Sequence, residues 1–251
     1  MIALFMAIVM CICLAGCGKT MCSVEGCKNE VADNENEVTY CDKHLAENVY
    51  DSLKNAYEIS ARIGNDIIAA WRTGIYDTAA FQSKDYDTTK ISILAAELSL
   101  SQYDVEVGAA AAYQLMWNGV LWANMTEEEK EESLNPTSGM PDGEYALRLQ
   151  AYGDLFQFCV TTVIEGYTHN GQMESAQTSL LNAKDWIRLL GDTYPDYVHY
   201  AALLDYYTSV SSYLEFCQSP SGNFEQASNS NNAYQSDIKE YVNKLELVFD
   251  E

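Results

Sequence analysis

The feature that most constrains this chain is a series of long stretches in which apolar residues recur every three or four positions. Between about Asp42 and Tyr76 they fall at Val49, Leu53, Ala56, Ile63, Ile67 and Ala70, with Ser60 filling the one gap. This spacing lines one face of an α-helix and cannot line a strand, whose period is two. Thr88-Thr89 is placed to cap a second helix to about Asn124, with Ile91, Leu94, Leu98, Val105, Ala109, Ala112 and Met116 on its stripe. The small run Gly108–Ala112 would let a neighbour approach closely. A third helix is predicted over about Glu144 to Tyr167, through Leu147, Ala151, Leu155, Phe158 and Thr162, ending at Asn170-Gly171. A fourth covers about Met173 to Leu190, with Gly191 as its terminator. Pro195 is expected to open a fifth at a first-turn position. The last spans about Phe224 to Phe249, with Ser228–Asn232 a polar segment where it would fray.

No alternating run is long enough to suggest a sheet, and no period of about 34 residues recurs. The expected fold is therefore all-α, an antiparallel bundle of five or six main helices. Thr126-Glu127-Glu128-Glu129 reads as the capping box of a short acidic helix. Asn135–Gly143, with two prolines and two glycines, reads as an exposed loop.

The N-terminal end is organised differently. Ile2 to Leu14 is an unbroken apolar run of thirteen residues. A membrane-spanning helix needs about 20, whereas thirteen suits the apolar core of an export signal. No Lys or Arg precedes the run, which export signals normally carry, so the true start is expected upstream. Leu14-Ala15-Gly16-Cys17 follows and resembles the lipobox of bacterial lipoproteins. The resemblance implies cleavage before Cys17 and a diacylglycerol group on its sulfur. About two acyl chains suffice for stable anchoring. Residues 1–16 would be signal peptide, 17–21 a lipidated tether, 22–44 a small knuckle and 45–251 the bundle. The expected location is then extracytoplasmic, on the bacterial cell membrane.

The body carries a formal charge of −23. Nucleic-acid binding needs clustered Lys and Arg, so no nucleic-acid partner is expected.

Three cysteines and a histidine follow the tether: Cys22, Cys27, Cys41 and His44. Their spacing is Cys-x4-Cys, thirteen residues, then Cys-x2-His, which suits a tetrahedral site with four ligands. The segments Cys22–Cys27 and Tyr40–His44 resemble a zinc-ribbon or treble-clef knuckle, with Gly26 helping the first turn. Glu37–Tyr40 would supply a short strand, and Asp42 the cap of the helix carrying His44. Because all four positions are protein ligands, the Zn2+ would be structural. The rival is a disulfide scheme, since exported proteins meet an oxidising medium. It leaves one cysteine of the cluster over unless Cys159 or Cys217 joins, and those two have the helical spacing of core residues. Asp33–Glu37 hints at a calcium loop, but Val38 and His44 stand where the EF-hand needs Gly and Glu.

Other candidates are weaker. The chain lacks Gly-x-Ser-x-Gly, His-Glu-x-x-His, a phosphate loop and a dinucleotide glycine pattern, so no catalytic residue or cofactor-binding residue is assigned and an enzyme is not expected. His169 lies at a helix end, where it meets the dipole, and His199 on the tyrosine-rich fifth helix. Asp66 and Trp71 on the first helix, with Asp104, Trp117 and Trp122 on the second, could form an acidic, aromatic cleft if those helices pair. Such a cleft is the basis of an alternative, an envelope hydrolase. On the fifth helix Tyr197, Tyr200 and Tyr207 share a face with Leu203, Val210 and Leu214, and Tyr206 and Tyr213 adjoin it. So wide an apolar arc implies a helix enclosed by neighbours, or else a glycan-binding platform. The expected role is a lipid-anchored binding protein for an envelope protein or small-molecule ligand, with a purely structural envelope component as a further alternative.

Overall fold

The computed structural model describes residues 20–32, 38–76, 94–124 and 155–249. The leader, Cys17, Asp33–Glu37, the capping box at 126–129, the loop at 135–143 and the first part of the third predicted helix lie outside them. Six long helices are described: α1 (Asp42–Tyr76), α2 (Gln102–Asn124), α3 (Leu155–His169), α4 (Gln172–Thr193), α5 (Tyr200–Gln218) and α6 (Phe224–Phe249). Among the described residues there is no strand, only an isolated antiparallel bridge between Met21 and Glu30. The chain is all-α, and none of these helices is long and apolar enough to cross a membrane.

Helix α1 is the hub. It is buried on more than the predicted stripe, because Leu45, Ala46, Tyr50, Tyr57, Ile59 and Trp71 are covered as well. It packs on α3, α4, α5 and α6. Asn55 bonds Ser179 on α4, while Tyr40, just before α1, meets the ring of Trp186 further along, so α1 and α4 run antiparallel. Tyr50 meets Phe249 and Asn65 meets Asn231, so α6 is also antiparallel to α1. Helix α5 runs with α1 instead: Tyr50 pairs with Tyr206 and Tyr57 with Tyr213. Each fully buried Leu or Ile of this core, such as Leu53 or Ile63, stabilises the fold by about 1.5–3 kcal/mol.

The contact of α2 with α3 follows from two glycines. A Cβ on Gly108 would overlap the Thr162 carbonyl, and one on Gly166 would stand 3.0 Å from the Asp104 carbonyl. The small run predicted for close approach serves that purpose.

Several predicted boundaries move, each for a local reason. The predicted cap Thr88-Thr89 lies outside the described residues, and the described part of the second helix is not continuous. One helical turn at 94–97 is followed by a break, and α2 begins at Gln102. Asp66 takes the Ser99 N–H at 2.8 Å, and Ser101 caps the new start, its Oγ accepting the Asp104 N–H at 3.1 Å. Gly191 does not end α4, which continues to Thr193. Its missing Cβ serves packing, since one there would lie 2.7 Å from the Tyr200 hydroxyl. Pro195 sits in the turn before α5 rather than opening it.

The polar segment 228–232 does not fray either. Asn231 is buried and accepts from the Tyr213 hydroxyl at 2.6 Å, while its amide donates to Asn65 at 3.2 Å. Gln235 donates to Tyr213 and Asn65, closing a satisfied polar network inside the bundle.

Candidate metal centre

The first turn of the knuckle is made by Cys27 N–H bonding the Val24 carbonyl at 3.1 Å, with Gly26 at φ 81°. That left-handed conformation suits glycine, as predicted. Cys22 N–H bonds the Asn29 carbonyl at 3.0 Å, and Ser23 N–H bonds that of Thr39 at 2.8 Å. These bonds bring the Cys22–Cys27 turn against the start of α1. Val38–Tyr40 is not the expected strand; the Ser23 bond is what ties it down. Asp42 is the first residue of α1 rather than a residue before it, and its carboxylate accepts the Lys43 N–H at 2.8 Å.

Four predicted ligands converge. The ligand atoms of Cys22, Cys27, Cys41 and His44 lie within 4.8 Å of one another. His44 Nδ1 is 3.2 Å from the sulfurs of both Cys22 and Cys41, and the sulfurs of Cys27 and Cys41 are 3.9 Å apart. A tetrahedron with metal–sulfur bonds of about 2.3 Å has edges of about 3.8 Å, so the cluster has the size of a four-coordinate site. The four residues could hold a metal ion. The described cysteines are all free thiols, and Cys159 and Cys217 lie in the bundle core, away from the cluster. No described cysteine is in a disulfide.

Hydrogen-bond donors converge on the sulfurs at this point. Cys41 N–H donates to the Cys22 sulfur at 3.4 Å. Asn29 donates its backbone N–H to Cys27 at 3.5 Å and its amide to Cys41 at 3.7 Å. Burial works against ionising Cys22, but the hydrogen bonds from Cys41, Val24 and His44 outweigh it and leave the thiol at about 7. Burial pushes Cys41 up to about 11, and the neighbouring Cys22 adds to that. Two thiolates side by side thus need a cation between them. The second ring nitrogen of His44 faces Glu47, with Nε2 3.6 Å from Oε2. A carboxylate on that side is placed to orient the ring with Nδ1 toward the sulfurs.

The knuckle is docked on the bundle. The Tyr194 hydroxyl accepts the Ala32 N–H and donates to the Tyr40 carbonyl, both at 3.1 Å. The rings of Tyr40 and Trp186 meet edge to face at 5.9 Å. Neither Asn29 nor Tyr194 was visible as a partner in the sequence. Glu47 carried a usable signal, since it stands three residues after a predicted helical ligand and so on the same face.

The remaining candidates have other partners. Asp66 is buried and accepts from Ser99 N–H and the Tyr167 hydroxyl, each at 2.8 Å, and from Ser99 Oγ at 3.3 Å. Asp104 accepts from Ser101 Oγ at 2.6 Å in the cap of α2. Trp71 is buried; the side chains of Trp117 and Trp122 lie outside the described residues. His169 stands in the last turn of α3, as predicted, beside the Tyr103 ring. His199 precedes α5 instead of lying on it. On α5, Tyr206 and Tyr213 are the fully buried tyrosines, whereas Tyr200 and Tyr207 are partly exposed.

No known protein family, curated protein or solved structure matches this chain.

Proposed function

We propose that the chain is a lipid-anchored, extracytoplasmic lipoprotein of bacterial type, in which a structural Zn2+ joins the tether to a ligand-binding helical body. The lipobox at Leu14–Cys17 supports the anchor. The convergence of three sulfurs and one imidazole within 4.8 Å supports the metal, and it is the observation that carries the reading. Three soft thiolates and one imidazole favour zinc over calcium or magnesium, which take oxygen ligands.

Four protein ligands leave no open position for a reacting water, so the ion's part is mechanical. Cys22 and Cys27 lie on the segment leaving the tether, and Cys41 and His44 at the start of α1. The ion would pin one to the other, while Tyr194 holds the knuckle to the end of α4. The acyl chains on Cys17 would then carry a body of fixed orientation and not one on a free leash.

Metal analysis of the full chain, purified in detergent under reducing conditions, tests the first half. One zinc per chain is expected, falling below a tenth in Cys41→Ser. Mass spectrometry of the N-terminal peptide tests the second half, and an uncleaved, unacylated leader would remove the anchor.

A further inference from the structure

A groove of about 560 Å3 lies between α4 and α5, within the range of small-ligand sites. Its apolar part is formed by Ile187, Leu204 and Tyr207, and its charged part includes Lys184, Arg188 and Asp192. Gly191 gives it shape, because Tyr200 occupies the space where a Cβ would stand.

The charges decide what fits. Arg188 is matched by Asp185 at 3.6 Å. Lys184 and Asp192 have no ion-pair partner among the described residues. They stand eight residues apart on one face of α4, which at 1.5 Å per residue is about 12 Å along the axis. The chain as a whole has 37 acidic against 14 basic residues, yet the groove offers one cation and one carboxylate that are both uncommitted. A polyanion would meet the general acidity, and a simple cation would leave Lys184 unmatched. A zwitterion whose length is comparable to that axial separation can reach both ends. An extended peptide advances about 3.4 Å per residue, so about three or four residues cover that span. Its apolar side chains would lie on Leu204, which is 43% exposed, and on Tyr207.

We propose that the α4–α5 groove binds a short free peptide of about three or four residues, its carboxylate at Lys184 and its amino group at Asp192. This rests on the ligand-binding half of the function proposed above and is independent of the anchor and of the metal.

The test is calorimetric titration of the zinc-loaded full chain, in detergent at low salt, with alanyl-leucyl-leucyl-alanine in free, N-acetylated and C-amidated forms. The free peptide is expected to bind with a sub-millimolar Kd, and each block to weaken it about tenfold, the equivalent of one charge-assisted contact. In Lys184→Ala, amidation should cost nothing further, and in Asp192→Ala, acetylation should cost nothing further. Both residues are exposed, so neither variant endangers the fold. No heat up to millimolar peptide overturns the proposal, as does equal binding of a doubly blocked peptide, which would mark mere apolar adhesion. Blocks that remain costly in the matching variants overturn the end assignment. Failure here with zinc and acyl chains still found would leave the anchor and knuckle standing; their loss with peptide binding retained would do the reverse.

Discussion

Asp66 is the sharpest test of how this bundle is held. It is 4% exposed and sits where α1, the segment before α2 and α3 meet. Its Oδ2 accepts two bonds at 2.8 Å, from Ser99 N–H and the Tyr167 hydroxyl. Its Oδ1 accepts a longer one from Ser99 Oγ at 3.3 Å. Asp66→Ala leaves the Ser99 N–H and the fully buried Tyr167 hydroxyl without an acceptor. At about 1.5–3 kcal/mol for each bond to a charged group, the loss is about 3–6 kcal/mol. Release of a desolvated carboxylate offsets part of it, so about 3 kcal/mol is expected, or on the order of 10 °C in Tm.

Asp66→Asn should behave otherwise. Its carbonyl can take the place of Oδ2, and its amide can donate to Ser99 Oγ, whose hydroxyl is free to turn. A cost within about 1 kcal/mol is expected. The pH dependence adds a sign. Burial pushes the Asp66 carboxyl above its ordinary 3.8, against the bonds from Tyr167 and Ser99. A raised folded value means that the native state holds its proton longer. Its contribution is therefore full below 3.8 and is lost as the pH rises through the folded value. Wild type should lose more stability than Asp66→Asn over that rise. Urea unfolding followed by circular dichroism measures all three proteins. Equal cost for Ala and Asn, or a cost below 1 kcal/mol for Ala, would refute the reasoning.

Three further predictions concern other contacts. Tyr213→Phe removes the donor to buried Asn231 and should cost about 1–3 kcal/mol in urea unfolding, and Asn231→Ala should cost less on top of it than in the wild type, because only its bond to Asn65 is then left to lose. Tyr194→Phe removes the hydroxyl bonds that join the knuckle to the end of α4 and leaves the Tyr40–Trp186 contact, so amide exchange should quicken at Ala32 while the α5–α6 core keeps its protection. In metal-free protein, thiolate absorbance should show a step near pH 7 that Cys22→Ser abolishes. Because the folded value lies below the ordinary 9.0, the Cys22 contribution to apo stability is full above 9.0 and fades as the pH falls through about 7.

The sequence by itself determined the helical class, most of the helix positions and the four converging ligands. Apolar spacing of three and four can bury itself only as helices, and Cys-x4-Cys with Cys-x2-His limits the chain to a few closed geometries. The close approach at Gly108 was legible for the same reason, since small residues leave only one kind of space. What tertiary structure alone decided were the long-range partners. Ser99 ends a predicted helix because a carboxylate 33 residues away takes its N–H. Gly191 lies inside a helix rather than ending it, and its empty side is taken by the Tyr200 ring. Asn231 stays helical because Tyr213 and Asn65 satisfy its amide. Tyr194 clasps a knuckle more than 150 residues upstream. Local pattern encodes which face is apolar, but not what the opposite face will meet. A buried polar group is settled by the donors that packing brings to it.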